Sequence, residues 1–146
     1  MVKMIKILLW TIAIAITIAL SVKYAPFDNE DPMEKGLDAY RKEKYVEAVE
    51  WFQQAAKWSD IDAQYYLGHC YFNGLGVARD YSKAAKWYRL AALQGNIEAQ
   101  LIVGRCCENG YGVPKDFTEA VGWYQIAAAP ENAEAKAALN RLENKK

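Results

Sequence analysis

The feature that most constrains the fold of this chain is a repeat of 36 residues. Shifting the sequence by 36 positions places Gly68 on Gly104 and Trp87-Tyr88 on Trp123-Tyr124. The same shift pairs Gly74 with Gly110, Gly76 with Gly112, Val77 with Val113, Asp80 with Asp116, Ala84 with Ala120, and Ala91-Ala92 with both Ala127-Ala128 and Ala55-Ala56. A fixed period of this length predicts a solenoid, in which stacked repeats bury one continuous core.

The first half of each repeat predicts an amphipathic helix. In Ile61–Asn73 the small or apolar residues recur at helical spacing on one face, namely Ala63, Leu67, Gly68 and Tyr71. Gly68 has no side chain, which allows a second helix to approach closely. The stretch from Asn73 to Gly76 contains two glycines, and these predict a turn because glycine tolerates left-handed backbone angles.

The second half of each repeat predicts another helix. Asp80 is placed to be its N-cap, and Asp116 with Glu119 has capping-box spacing in the following repeat. Gly95 is expected to end this helix before Ile97 opens the next first helix. The expected buried stripe consists of Ala84, Trp87, Tyr88, Ala91 and Ala92.

The stretch AQYYLGHCYFNGLGVARDYSKAAKWYRLAA, from residue 63 to residue 92, resembles the Sel-one-like repeat (SLR), a relative of the tetratricopeptide repeat. Ala63–Asn96 is one full copy. Ala99–Asn132 is a second, with Pro130-Glu131 in place of Gln94-Gly95. Gly36–Asp60 has a tighter turn and no glycine loop. The resemblance covers Met33 to the C-terminus and implies an all-α fold, a right-handed α-solenoid of helix-turn-helix repeats. It also implies a scaffolding or adaptor role.

The last segment predicts a cap for the solenoid, which must end in a unit with a polar outer face. For the stretch from Glu131 to Lys146 the inward residues are expected to be Ala133, Ala137 and Leu142. The outward residues are expected to be Glu134, Lys136, Arg141, Glu143 and Lys145.

The amino-terminal segment has the features of a membrane span. No residue in Ile7–Val22 is charged, and Lys6 and Lys23 flank this run. Residues 1–24 are therefore predicted to be a transmembrane anchor, with residues 25–32 as an acidic, proline-bounded linker and 33–146 as the repeat domain. A cleaved signal peptide is the alternative, with Ala19-Leu20-Ser21 as a cleavage site.

The flanking charges predict an orientation for the anchor. Lys3, Lys6 and the amino terminus precede the span, so the positive-inside rule places residues 1–6 in the cytoplasm. In a bacterium this gives a single-pass protein of the inner membrane with its repeat domain in the periplasm. Cleavage would instead release the repeat domain into the periplasm.

Composition argues against several function classes. Of the 18 Lys and Arg residues, three precede residue 24, which leaves 15 basic against 18 acidic residues and a net charge of −3 in the body. No basic patch is available for nucleic acid. With His69 as the only histidine and no CxxC pair, a zinc site is not expected. Cys70, Cys106 and Cys107 are expected to be small buried hydrophobes, and a Cys70–Cys106 bridge is disfavoured by the spacing of stacked helices.

No arrangement of side chains in the sequence predicts catalysis. The neighbours His69 and Cys70 point about 100° apart on a helix, so they do not form a nucleophile and base. Gly74 and Gly76 follow a helix rather than a strand, so they are not a phosphate loop. We therefore expect no enzyme, no cofactor and no small-molecule substrate.

A protein partner is expected on the concave face, which first helices usually line. On the first helix of the full repeat, Tyr65, His69 and Phe72 lie at i, i+4 and i+7. The shift of 36 carries them onto the next first helix, at Leu101, Arg105 and Glu108. These six residues are the predicted partner-binding site, because exposed aromatic and arginine side chains are typical binding anchors. Packing of Tyr65 and Phe72 against neighbouring helices is the alternative.

The predicted function is a non-enzymatic adaptor displayed at the membrane. Two alternatives are an immunity protein that neutralises a toxic effector delivered to the periplasm, which the resemblance suggests, and a membrane-bound regulatory subunit of an enzyme or secretion complex.

Overall fold

A computed structural model describes residues 31–129 and 131–144 of the chain. This part is all-α, with seven helices and no strand. The helices are α1 (Pro32–Arg41), α2 (Tyr45–Ala56), α3 (Ile61–Asn73), α4 (Tyr81–Leu93), α5 (Ile97–Asn109), α6 (Phe117–Ala128) and α7 (Ala133–Glu143). The predicted anchor and most of the predicted linker lie outside these residues. Among the helices described, none is long and apolar enough to cross a bilayer.

The helices form the predicted pairs and stack in chain order. We name α1–α2 the first repeat, α3–α4 the middle repeat and α5–α6 the last repeat, with α7 as the cap helix. The extensive helix–helix contacts of the described chain join helices that are consecutive in sequence, from α1 with α2 to α6 with α7. This serial pattern of contacts is the one expected of a solenoid.

Asparagine and aspartate residues are the N-caps of helices, and they recur with the spacing of the repeat. Asp60, Asn96 and Asn132 stand 36 residues apart, and each side chain accepts a hydrogen bond from the backbone N–H three residues later. Such N-caps satisfy backbone donors that have no partner inside the helix. Asp80 caps α4 in the same way, as predicted.

Asp116 is the N-cap of α6, but the reciprocal bond of a capping box is absent. The Asp116 carboxylate accepts from the N–H groups of Thr118 and Glu119 at 2.8 and 3.0 Å. Its own N–H donates instead to the carbonyl of Cys107. The Glu119 side chain is directed to Trp123 and Arg89. The spacing of a capping box is therefore present without its second hydrogen bond.

The glycine turns connect the two helices of one repeat and contact the repeat before it. Gly74 and Gly110 end α3 and α5 with left-handed φ angles of 72° and 79°. Gly112 has a second role, because a Cβ at that position would lie 2.0 Å from the carbonyl oxygen of Tyr81 at the start of α4. The turn of the last repeat thus lies directly on the second helix of the middle repeat. Only glycine fits this contact.

Close contacts between glycines and aromatic rings hold the two helices of each repeat together. A Cβ at Gly68 would be 2.8 Å from the ring of Tyr88, and one at Gly104 would be 2.6 Å from the ring of Tyr124. Both rings are almost fully buried. These contacts confirm the close approach that was predicted from Gly68. The predicted stripe of α4 is also buried, except that Trp87 is only partly so.

The three cysteines are free and buried, as expected for small hydrophobic residues. Burial raises the pKa of the Cys70 and Cys106 thiols to about 11. The thiolate forms are therefore disfavoured at neutral pH, and these residues serve packing.

The cap helix α7 corrects one sequence expectation. Its buried residues are Ala135, Ala138 and Leu142, whereas Ala133 and Ala137 are exposed. The alanines are so dense in this segment that its apolar pattern fits more than one helical phase. The N-cap at Asn132 sets the phase, since it places Ala135 where Ala99 lies in α5.

Candidate protein-binding surface

The six predicted partner-binding residues lie on α3 and α5, on the side of the stack that we call the first-helix face. This face is formed by α1, α3, α5 and α7. The six residues differ sharply in exposure. Tyr65, His69 and Phe72 are partly buried, Leu101 and Glu108 are buried, and Arg105 is exposed.

Tyr65 and Phe72 pack against neighbouring aromatic rings. The Tyr65 ring lies edge-on to the ring of Tyr88, with centroids 5.7 Å apart. Phe72 lies edge-on to Tyr81 at 4.9 Å and to Tyr111 at 5.9 Å. Edge-to-face pairs at these distances are favourable beyond the area they bury. Both residues therefore contribute to packing, which was the alternative reading of their positions.

His69 contacts the first helix of the preceding repeat. Its Nδ1 lies 3.0 Å from the hydroxyl of Tyr40 in α1, and the two rings meet edge-on. Burial lowers the pKa of His69 and raises the pKa of Tyr40 to about 12. Both groups are thus favoured in their neutral forms. In these forms a single hydrogen bond joins the Tyr40 hydroxyl to Nδ1 of His69.

Glu108 and Leu101 belong to the interior rather than to a free surface. Leu101 is 5% exposed and Glu108 is 7% exposed. The Glu108 carboxylate accepts a hydrogen bond from the Tyr124 hydroxyl at 2.9 Å and another from Arg141 Nη2 at 2.6 Å. A shift of 36 residues could not reveal this, because Phe72 occupies the equivalent position in the middle repeat. Glu108 thus anchors the cap helix to α5 and α6.

Arg105 is the exposed member of the predicted set. Its side chain is half exposed, and Nη1 lies 3.4 Å from a carboxylate oxygen of Glu134 on α7. Exposed pairs of this kind contribute on the order of 0–1 kcal/mol. The Arg105 guanidinium is therefore held loosely and can exchange its partner at little cost.

A pocket of about 330 Å³ opens beside Arg105, between α5, α6 and α7. Leu101 and Arg105 line it from α5, and Tyr124 lines it from α6. The cap helix contributes Glu134, Ala137, Ala138 and Arg141. The pocket combines apolar walls with two arginines, which is an arrangement found at sites that bind organic groups.

Five pocket residues were missed as site candidates in the sequence: Tyr124, Glu134, Ala137, Ala138 and Arg141. The signal that finds three of them is the repeat itself. A shift of 36 residues carries Leu101 onto Ala137, Arg105 onto Arg141 and Glu98 onto Glu134. The cap helix is thus a further first helix in the same register. In the residues that the structure describes, no group of three potential metal ligands occurs.

The Sel1 repeat profile matches three segments of the chain, residues 33–57, 61–96 and 97–129. No curated protein matches the chain by sequence. Solved structures do. The crystal structure of a Sel1 repeat protein from Oxalobacter formigenes is 34% identical, with a TM-score of 0.71 over 75% of this chain and 45% of the other.

Two further structures are similar. One is c5321, a protective antigen of uropathogenic Escherichia coli strains with an SLR fold: identity is 34%, the TM-score is 0.73, and the match covers 79% of this chain and 26% of the other. The Helicobacter pylori cysteine rich protein B is 27% identical, with a TM-score of 0.60 over 63% of this chain and 69% of the other.

The present chain spans less than half the length of the first two relatives. Its fold nevertheless agrees with theirs. Sel1 repeat proteins are protein–protein interaction modules and are generally non-catalytic. The matches over most of the repeat domain, together with the stacked helix pairs, show that this chain belongs to the Sel1 repeat family.

Proposed function

We propose that this protein is a non-enzymatic adaptor that binds a protein partner on its first-helix face. The observation that carries the proposal is the pocket between α5 and α7, which has apolar walls and the loosely paired Arg105 at its rim. Apolar contacts supply affinity at such surfaces, and charged groups fix the orientation of the partner.

The charges on this face follow the repeat. The positive row consists of Arg105 and Arg141 on α5 and α7, and the equivalent position of α3 holds His69, which burial keeps neutral. A second row, at the start of the same helices, consists of Asp62, Glu98 and Glu134. All three acidic residues and both arginines are exposed. Parallel rows of opposite sign favour a partner that crosses successive first helices in one direction.

Affinity capture tests the adaptor role. Full-length protein with an affinity tag is crosslinked in its native cells and purified, alongside an Arg105→Glu variant and a Lys86→Glu control. Lys86 is exposed on α4, away from the first-helix face. We expect one partner to be enriched by the wild type and the control and to be reduced at least about tenfold by Arg105→Glu. Equal capture by both variants would place the binding surface elsewhere.

We further propose that residues 7–22 hold this adaptor at the inner membrane, with the repeat domain on the periplasmic side. The support is the uncharged run between Lys6 and Lys23 and the excess of positive charge before it. A carboxy-terminal tag should sediment with membranes and be removed by protease added to spheroplasts. A soluble, shorter product would instead indicate signal cleavage. The immunity and regulatory roles stay predictions.

A further inference from the structure

The pocket arises because the side chain at one repeat position becomes smaller from α3 to α5 to α7. At equivalent positions of α3, α5 and α7 stand Tyr65, Leu101 and Ala137. Tyr65 packs its ring on Tyr88. Ala137, two repeats later, carries only a methyl group and is exposed. The pocket thus lies where the smallest member of the series faces Leu101, and nothing in the described chain replaces the missing side chain.

The rim of the pocket carries two guanidinium groups of different mobility. Arg141 is held by the buried Glu108, which in turn accepts from the Tyr124 hydroxyl. A buried carboxylate with two donors fixes the arginine that it binds more firmly than an exposed pair does. Within the described part of the chain, Arg105 forms its ion pair with Glu134, at 3.4 Å. One arginine is therefore pre-organised, and the other is free to close on a ligand.

Given the proposed adaptor function, we infer that this pocket binds the carboxy-terminal residue of a partner protein, with an aliphatic side chain inside and its carboxylate on Arg105 and Arg141. Guanidinium groups recognise carboxylates in planar, charge-assisted pairs. The apolar walls formed by Leu101, Ala137 and Ala138 suit the side chain.

A chain terminus fits this pocket better than an internal acidic residue does. The volume of about 330 Å³ is at the low end of the roughly 300–1,000 Å³ usual for ligand sites, so it suits a ligand whose charge and apolar group lie close together. A terminal Leu, Ile or Val carries a carboxylate and an aliphatic group on the same Cα. An internal Asp or Glu uses its side chain for the charge, so a second residue would have to fill the apolar part.

Two pools of synthetic hexapeptides test the inference. Both are randomised over their last three positions, and one has free carboxyl termini whereas the other has terminal amides. They are passed over immobilised full-length protein. We expect retention from the free-acid pool, enriched in Leu, Ile or Val at the last position. The best free-acid peptide should bind at least about tenfold more tightly than its amide.

Several results of the pool experiment would overturn the inference. Equal retention of acids and amides would mean that no terminal carboxylate is recognised. Enrichment of internal Asp or Glu in the amide pool would assign the arginines to an internal acidic segment. Absence of retention from either pool would mean that the pocket is not a peptide site.

Ala137→Tyr tests the pocket itself, because it restores the bulky residue found at position 65. Ala137 is exposed, so the substitution is compatible with folding, and circular dichroism would check this. Binding of the best peptide should fall at least about tenfold. Ala78→Tyr, an exposed alanine in the turn after α3, is the matched control and should change nothing. Equal affinity of the two variants would contradict the inference.

Glu134→Gln should strengthen peptide binding, whereas Ala137→Tyr should weaken it. Glu134 competes for Arg105, so removing its charge should tighten binding of the free-acid peptide about threefold. Arg105→Gln should weaken binding about tenfold. A purely structural role of these residues predicts no gain from Glu134→Gln. Unchanged or weaker peptide binding in this variant would contradict a site in which Arg105 meets a carboxylate.

The inference and the proposed adaptor function can fail separately. If Ala137→Tyr leaves capture of the native partner unchanged while Arg105→Glu abolishes it, the first-helix face binds but the pocket does not take a terminus. If the wild type captures no partner at all, the adaptor function fails whatever the peptides do.

Discussion

The middle and last repeats share one backbone and use it in different ways. Both have a first helix of 13 residues that ends at a left-handed glycine and packs a glycine on a buried tyrosine ring. Their first-helix faces nevertheless differ. In α3 the face is filled by aromatic rings, Tyr65 and Phe72. In α5 the same positions hold Leu101 and Glu108, and a pocket and an ion pair replace the rings.

This difference shows how a repeat protein separates fold from recognition. The residues that stack the repeats are glycines, alanines and N-caps, and they recur every 36 residues. The positions between them vary without disturbing the stack. Binding specificity in such a chain is therefore expected to lie where the repeats differ, as the first-helix faces of the middle and last repeats do.

The largest effect is expected at a turn glycine that the middle and last repeats share. Gly112→Ala would bring a Cβ to 2.0 Å from the Tyr81 carbonyl at a φ of 71°, so it should lower the free energy of unfolding by more than about 3 kcal/mol. Gly95→Ala is the control. Its φ is also positive, at 97°, but nothing lies within 4 Å, and a loss of about 1 kcal/mol is expected. Urea unfolding followed by circular dichroism measures both. Equal losses would mean that contact between repeats does not constrain the turn.

The next effect concerns the buried carboxylate of the last repeat. Glu108→Gln removes the charge that Arg141 and Tyr124 bind, and should lower the free energy of unfolding by about 2 kcal/mol. Glu134→Gln, the same change in an exposed pair, should cost less than about 0.5 kcal/mol. Urea titrations of the two variants would separate them. A cost for Glu108→Gln as small as that for Glu134→Gln would show that the cap helix does not depend on this network.

A smaller effect is expected at the position that sets pocket size. Tyr65→Ala removes the ring packed on Tyr88 and should lower the free energy of unfolding by about 1–2 kcal/mol. It should also open a second pocket, between α3 and α5, and so make the middle repeat resemble the last. A crystal structure of the variant provides the check. Collapse of neighbouring side chains into the vacated space would contradict this account of the pocket.

The smallest effect is a pH dependence confined to the middle repeat. Burial lowers the pKa of His69 in the folded state, so the unfolded chain takes up this proton first as the pH falls. The contribution of His69 is therefore present above its unfolded pKa of about 6.5 and is lost as the pH falls through its folded pKa. Unfolding measured from pH 7.5 to 5 should show the loss in the wild type. A His69→Asn variant with the same slope would refute this assignment.

Most of the fold could be predicted from the sequence, because spacing encodes it. The helices α3, α4 and α5 begin and end at the residues that the caps and glycines indicated. The phase of α7 could not be predicted, since alanines occupy both candidate faces and only the N-cap at Asn132 decides between them. The free state of the cysteines follows from helix spacing and from burial.

The candidate surface was predictable only in part. Arg105 is exposed as expected, but burial of Leu101 and Glu108 depends on α7, whose residues were not matched to the repeat. The partner of Glu108 is 33 residues away in sequence, and no local pattern indicates that pairing. Extending the shift of 36 to residues 133–142 would have shown the row of arginines. Whether the six predicted residues bind a partner stays a prediction.

Site-specific photo-crosslinking from the first-helix face tests the central claim most directly. A photoreactive amino acid is placed at Glu98, which is exposed on α5 outside the pocket, or at Lys86 on α4, and full-length protein is irradiated in its native cells. We expect one protein to be crosslinked from Glu98 and not from Lys86. Crosslinking of a partner from Lys86 alone would contradict the claim that this protein binds through its first helices.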